Sequence, residues 1–260
     1  MKKIIITFSL ACSLGLALIS CEKEVVRVAA ETNIGSDKAK LKVNYVSAYA
    51  SNNPSVQVKL NSTRVSNLLP FRTPFPGGGF NTGGGSTNDY LVVTPGQTAL
   101  KISVPNVGKE TDSVELFASS LNLVAGKNYT AHVTDTGANT KVVLLEDDIT
   151  QPAYGKSKYR FVNLMPNVPA IDLYYGTTMV ATNVAYLASS PYFELPLPVT
   201  SLTWSIRETG TSPTSTALAT YLSASTSGNQ RVYTAFATGY KSQTGSTNPR
   251  RPFISFLLNY

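Results

Sequence analysis

Lys158-Tyr159-Arg160-Phe161-Val162-Asn163-Leu164 restates Lys40-Leu41-Lys42-Val43-Asn44-Tyr45-Val46. Each stretch puts basic residues at its first and third positions and apolar ones at its second and fourth, the period-2 pattern of a strand. The correspondence continues outward. An Asn/Pro turn follows each stretch, then Val56-Gln57-Val58-Lys59-Leu60 against Ile171-Asp172-Leu173-Tyr174-Tyr175. Arg64 to Leu68 matches Val180 to Val184, Tyr90 to Val93 matches Tyr192 to Leu195, and Leu100 to Val104 matches Leu202 to Ile206. Near the end, Tyr129-Thr130-Ala131 matches Tyr233-Thr234-Ala235, and Val142 to Leu145 matches Phe253 to Leu258. Two copies with about seven short strands each, and turn signals roughly every 8–12 residues, predict an all-β chain of two tandem immunoglobulin-like Greek-key β-sandwiches. No segment sustains a helical period.

The pairing also separates inside from outside. Trp204 falls where the first copy has Ile102, between Leu202 and Ile206 on one strand face, and is expected in the core. Tyr129 and Tyr233 stand where a Greek-key sandwich places a tyrosine corner, a structural latch.

Lys2 and Lys3 precede an apolar run, Ile4 to Leu18, that is too short for the roughly 20 residues of a membrane-spanning helix. The run ends in Leu18-Ile19-Ser20-Cys21, which resembles the bacterial lipobox, so the fold is expected to follow a lipoprotein signal peptide with Cys21 as the acylated first residue. Cys12 is a poorer site, because cutting there leaves a second apolar run behind. The expected organisation is a signal peptide over 1–20 and a lipid-anchored tether over 21–38. A first sandwich then spans 39–149 with a Gly/Pro-rich insertion at 70–87, followed by a linker at 150–156 and a second sandwich over 157–260. With few apolar residues in the linker, the two copies are expected to fold separately. The expected location is the cell envelope, as an outer-membrane lipoprotein facing the periplasm or the surface, held to the membrane through its anchor.

Charged residues make up 14% of the chain, below the roughly 25% of an average globular protein. Ser, Thr, Asn and Gly take their place, as in exported all-β proteins. The formal charge of +7 includes Lys2 and Lys3, whose removal leaves +5. The basic residues are scattered, with Arg250-Arg251 the densest pair, so no nucleic-acid face is expected and the basic residues read as solvated surface.

Arg160-Phe161-Val162-Asn163, Pro169-Ala170-Ile171-Asp172-Leu173-Tyr174 and Val180-Ala181-Thr182-Asn183-Val184 resemble the family called domain of unknown function 4397. That family is similar to immunoglobulin-like sandwiches, often occurs in tandem, and is carried by surface and secreted bacterial proteins, many of them lipoproteins of the Bacteroidota. The resemblance covers 157–258 closely and the first copy more loosely. It implies an exported, non-catalytic module and assigns no functional residue.

Few residues suggest chemistry. His132 is the sole histidine and, by alternation, points away from its own core, so it is expected to be exposed. One exposed imidazole supplies neither a nucleophile's oriented base nor a metal cluster. Glu146-Asp147-Asp148 at the junction are oxygen donors of the kind calcium takes, with a solvated acidic linker as the plainer reading. Apart from the covalent lipid and that candidate calcium, no cofactor is expected. In the insertion, Phe71, Phe75 and Phe80 on a flexible glycine-rich loop either contact a partner or fold back on the sandwich. Its glycines lack the Gly-Lys-Ser/Thr of a phosphate loop. Asp112-Ser113-Val114 resembles an export O-glycosylation motif, placing a candidate sugar on Ser113 in the loop after Val104.

The expected function is a non-catalytic surface binding or adhesion module for a glycan or protein. The alternative is a structural or accessory subunit of a pilus-like envelope assembly, joined by the apolar last strand through β-augmentation. A glycan-acting hydrolase is a distant third.

Overall fold

The computed structural model describes residues 36–48, 53–106, 112–198 and 200–260. Cys21 and the expected signal peptide lie outside the described residues. In chain order the strands are β1 (Ala39–Tyr45), β2 (Gln57–Leu60), β3 (Thr63–Arg64), β4 (Gly79–Phe80), β5 (Leu91–Val93), β6 (Gly96–Pro105), β7 (Asp112–Leu123), β8 (Asn128–Thr134) and β9 (Lys141–Glu146). They continue as β10 (Lys156–Asn163), β11 (Ala170–Tyr175), β12 (Thr178–Ala185), β13 (Phe193–Pro196), β14 (Trp204–Glu208), β15 (Ala219–Tyr221), β16 (Val232–Thr238) and β17 (Phe253–Leu258). Two short 3₁₀ turns are the only helical elements among the described residues.

The internal repeat is reproduced strand for strand. Sheet order β5-β1-β8-β9 corresponds to β13-β10-β16-β17, and β3-β2-β6-β7 to β12-β11-β14-β15. In each copy the first strand runs parallel to the penultimate one: Leu41 stands opposite Tyr129, and Tyr159 opposite Tyr233. The eighth pair, β7 with β15, has no counterpart in the sequence reading of about seven strands. Asp112-Ser113-Val114 opens β7, with Val114 opposite Val104, so the glycosylation motif starts a strand and does not sit in a loop.

Each copy buries its own core between its two sheets. The first holds Leu41, Val43, Val58, Ile102, Ala131 and Val133; the second holds Tyr159, Phe161, Leu173, Ile206, Ala235 and Phe256. Trp204 is fully buried as expected, its ring centroid 4.4 Å from that of Tyr175 and its Nε1 donating to Thr226 Oγ1 at 3.0 Å. Both tyrosine latches form: Tyr129 Oη accepts from Val124 N at 3.4 Å, and Tyr233 Oη accepts from Gly228 N at 3.0 Å while donating to the Ser225 carbonyl.

The two copies do not stand apart. The back of the β5-β1-β8-β9 sheet packs against the back of the β10 sheet, and residues 34–260 form one compact unit. Val46, Val162, Leu164, Phe236 and Leu257 are buried in this third apolar layer, with Val143 and Leu145 packed beside them. Strands β1, β8, β10 and β16 are therefore covered on both faces, which removes the expectation of separate sandwiches. Phe236, Val162 and Leu257 carry the signal: apolar residues at positions that alternation aims away from their own core. Each fully buried side chain of this kind contributes about 1.5–3 kcal/mol of transfer free energy.

The last strand is not a donor awaiting a partner. β17 pairs with β16 on one side, and on the other the insertion covers it through β4, with Phe256 opposite Phe80 and Leu257 opposite Gly79. The motive for a pilus-like assembly through that strand is lost.

Candidate binding cleft

Most of the residues expected to do chemistry are taken up where the two copies meet. His132 does point away from its own core, but it is 0% exposed, because the second copy covers that face and Phe236 packs on it at 6.0 Å between centroids. Asn44 Nδ2 donates to His132 Nδ1 at 2.9 Å. Burial, helped by the Arg160 charge, pushes the imidazole down to about 3. The expectation of an exposed histidine fails because alternation says which way a side chain points and not what lies beyond it.

The acidic trio is divided among three cations. Asp147 is buried, pairs with the Arg160 guanidinium, and accepts from Thr130 Oγ1 at 2.6 Å and Tyr90 Oη at 2.9 Å. Asp148 lies 2.9 Å from Lys158 Nζ, and Glu146 lies 2.7 Å from Lys127 Nζ. The calcium reading therefore finds no shared cage, and no group of three His, Cys, Asp or Glu residues arranged for a metal occurs among the described residues. Asp172 is likewise satisfied locally, accepting from Thr182 Oγ1, Asn183 N and Thr209 Oγ1. Across the seam, Lys42 Nζ donates to the Leu258 carbonyl at 2.7 Å and Thr134 Oγ1 to the Leu164 carbonyl at 2.7 Å.

The insertion is a strap across this seam. Phe75 exchanges two backbone hydrogen bonds with Val43 of β1, at 2.8 and 2.9 Å, and its ring packs on the first core. Four residues on, β4 pairs with β17 and Phe80 packs into the second core, 6.1 Å from Tyr233. Phe71 is half-buried. Phe75 and Phe80 thus hold the two copies together and are not offered to a partner. The glycines serve close approach and not flexibility: a Cβ on Gly79 would lie 1.6 Å from the Phe256 carbonyl oxygen, and one on Gly78 would lie 2.5 Å from the Gly85 carbonyl oxygen.

Where the strap meets the edge strand β15, a cleft of about 390 Å³ opens, lined by Asn81, Thr220, Tyr221, Arg251 and Phe253. Asn81 is fixed by donating from Nδ2 to the Ile254 carbonyl at 2.7 Å, while its own carbonyl accepts from Ser255 Oγ at 2.8 Å and from the Arg72 guanidinium. Phe253 carries two guanidinium groups, Arg72 at 3.5 Å and Arg251 at 4.0 Å from the ring centroid. Cations that close to one centroid leave room for only one on each face. Burial, and then repulsion by Arg251, push Arg72 down to about 10. Arg72 and Asn81 both hold left-handed backbone, at φ 59° and 56°, uncommon for residues other than glycine.

None of these cleft residues was identified as a site from the sequence. Arg251 belongs to the densest basic pair, read as solvated surface, yet it is half-buried against Phe253. Asn81 and Tyr221 carry no local signal, because the fold alone brings the insertion to β15.

The profile described as domain of unknown function (DUF4397) matches residues 41–174 and 160–250, two overlapping segments spanning both sandwiches. No curated protein sequence matches the chain. Among solved structures, one described as alpha-glucan binding by a streptococcal virulence factor aligns at 13% identity and a TM-score of 0.24, over 81% of this chain and 97% of that one. The CBM26 module of Eubacterium rectale Amy13K, solved with maltoheptaose, aligns at 11% identity and a TM-score of 0.21, over 80% of this chain and 99% of that one. At these scores neither likeness bears on the ligand.

Proposed function

We propose, for a chain that belongs to the DUF4397 family, a non-catalytic role as a cell-envelope lipoprotein. Anchored in the outer membrane through Cys21, it holds a surface glycan or protein ligand in the cleft between its strap and β15. One contrast carries this reading. The groups that suggest catalysis or metal binding are each engaged elsewhere: His132 and Asp147 are buried inside the protein, while Asp148 and Glu146 pair with Lys158 and Lys127 at its surface. The cleft instead gathers a half-exposed aromatic ring, Tyr221, with polar groups from Asn81, Thr220 and Arg251. A concave site with an aromatic face and a few convergent polar groups is the usual form of a small-ligand pocket.

The test is a glycan array and a pull-down from host and bacterial surfaces, run with wild type and Tyr221→Ala. Binding that the variant loses is expected, with no turnover on a panel of glycans and peptides. Persistent silence of the wild type, or turnover abolished by changing one carboxylate, refutes the proposal.

A further inference from the structure

We infer that the outer edge of β9 is an interface between two copies of this chain, which join there strand to strand about a two-fold axis. The inference goes beyond the ligand reading and does not depend on it. The two sandwiches differ at this edge. Leu258 pairs with Tyr233 where Glu146 pairs with Tyr129, so Ile254, Phe256 and Leu258 of β17 correspond to Val142, Leu144 and Glu146 of β9. On β17 those three residues face outward and the strap answers each of them. Phe256 pairs with Phe80, Leu258 N donates to the Gly78 carbonyl at 3.2 Å, and Asn81 Nδ2 donates to the Ile254 carbonyl at 2.7 Å. The sheet of the first copy ends at β9, and among the described residues no strand lies beyond it.

The ladder fixes which groups stand open. Asp147 N donates to the Asn128 carbonyl at 2.7 Å, so by the alternation of an antiparallel pair Lys141, Val143 and Leu145 also turn their backbone groups toward β8. Val142, Leu144 and Glu146 turn theirs outward, and among the described residues only the Glu146 carbonyl is answered, accepting from Arg160 Nη1 at 2.8 Å. The edge is apolar on both faces: Val142 and Leu144 pack on the first core, Val143 and Leu145 pack on the layer between the copies, and all four are half-buried. A strand added here extends both layers, so it needs apolar residues in succession. β9 itself reads Val-Val-Leu-Leu and meets that need. Set antiparallel to its own copy with Leu144 on the axis, Val142 bonds Glu146 of the partner copy and Leu144 bonds Leu144, so all three outward residues pair at once. Leucine then meets leucine on the core side, and Val143 meets Leu145 on the other.

The test uses residues 34–260, the compact unit, which contains no cysteine. Sedimentation equilibrium should show a mass that doubles as the concentration rises toward about 1 mM. Glu146→Pro removes an outward N–H that no described residue accepts, a place where an edge strand tolerates proline. It should weaken the dimer roughly tenfold or more while leaving the melting temperature of the dilute monomer nearly unchanged. Leu144→Cys sets two cysteines across the axis with Cα atoms about 5.5 Å apart, inside the roughly 4.4–6.8 Å of a disulfide. Mild oxidation should join this variant into a covalent dimer that reductant reverses, whereas Glu146→Cys alone, roughly 14 Å from its own copy, should not cross-link. Val142→Cys combined with Glu146→Cys repeats the cross-link should Leu144→Cys fail to fold. A wild type that stays monomeric throughout overturns the inference; amide shifts at Val142 and Leu144 on adding a peptide of the strap sequence 77–82 would then assign the edge to a foreign strand. A dimer that Glu146→Pro leaves intact and the cysteines do not cross-link overturns it too, because another face then holds the copies together.

Discussion

Lowering the pH should loosen the seam through His132, and the size of the effect follows from its burial. The imidazole is fully enclosed between the two inner sheets, and Asn44 donates to its Nδ1, so the neutral ring carries its proton on Nε2. No acceptor faces that nitrogen, and the charged group nearest in effect is the Arg160 guanidinium, which repels an imidazolium. The folded-state value of about 3 lies below the ordinary 6.5. The unfolded chain therefore binds more protons between those limits, and stability falls as pH drops from 6.5 toward 3. Between pH 7 and pH 4 the loss from this one group is about 3 kcal/mol. The assay is urea unfolding of wild type and His132→Leu at both pH values. A constant cost of the leucine, including the unpaired Asn44, cancels in the double difference. Acid titration of the other groups is common to both proteins and cancels too. Wild type should lose about 3 kcal/mol more than the variant over this interval. Equal losses, within about 0.5 kcal/mol, would refute the argument that the second copy keeps this ring dry and uncharged.

The other expectations concern the seam, the strap and the anchor. Arg160→Ala leaves Asp147 buried without its cation and should cost about 3–5 kcal/mol in denaturant unfolding; a change below about 1 kcal/mol would mean that the pair is solvated. Because the copies share a buried layer, calorimetry of the protein should show a single unfolding transition, and two well-separated transitions would contradict the coupling. Gly79→Ala puts a methyl group where the Phe256 carbonyl oxygen stands, so β4 should leave β17 at a cost of about 1–3 kcal/mol, with proteolysis appearing within residues 70–87; unchanged protease resistance refutes the docking. Cys21→Ala should release the protein from membranes, since acyl chains supply roughly 0.8 kcal/mol per buried methylene, and a variant that still fractionates with the membrane overturns the lipoprotein reading.

The sequence by itself determined the strands, their division into two copies, and which side of each strand faces its own core. These are short-range properties: period-2 alternation sorts Leu41 from Lys42 and Phe161 from Arg160, and the repeat pairs Tyr129 with Tyr233 and Ile102 with Trp204. It missed the eighth pair because β7 spans 12 residues and β15 only 3, so their lengths do not match. Tertiary structure alone decided what covers the outer faces. Lys42, His132 and Arg160 read as solvated because the groups that answer them come from distant segments, or in Asn44 look like ordinary surface residues. The insertion read as flexible because its glycines are needed only against backbone that arrives from the far end of the chain. The cleft has the same origin, since Asn81, Tyr221 and Arg251 become neighbours only once the strap has crossed from β1 to β17. Alternation gives the direction of a side chain, while burial and unanswered charge depend on which surface folding brings opposite it.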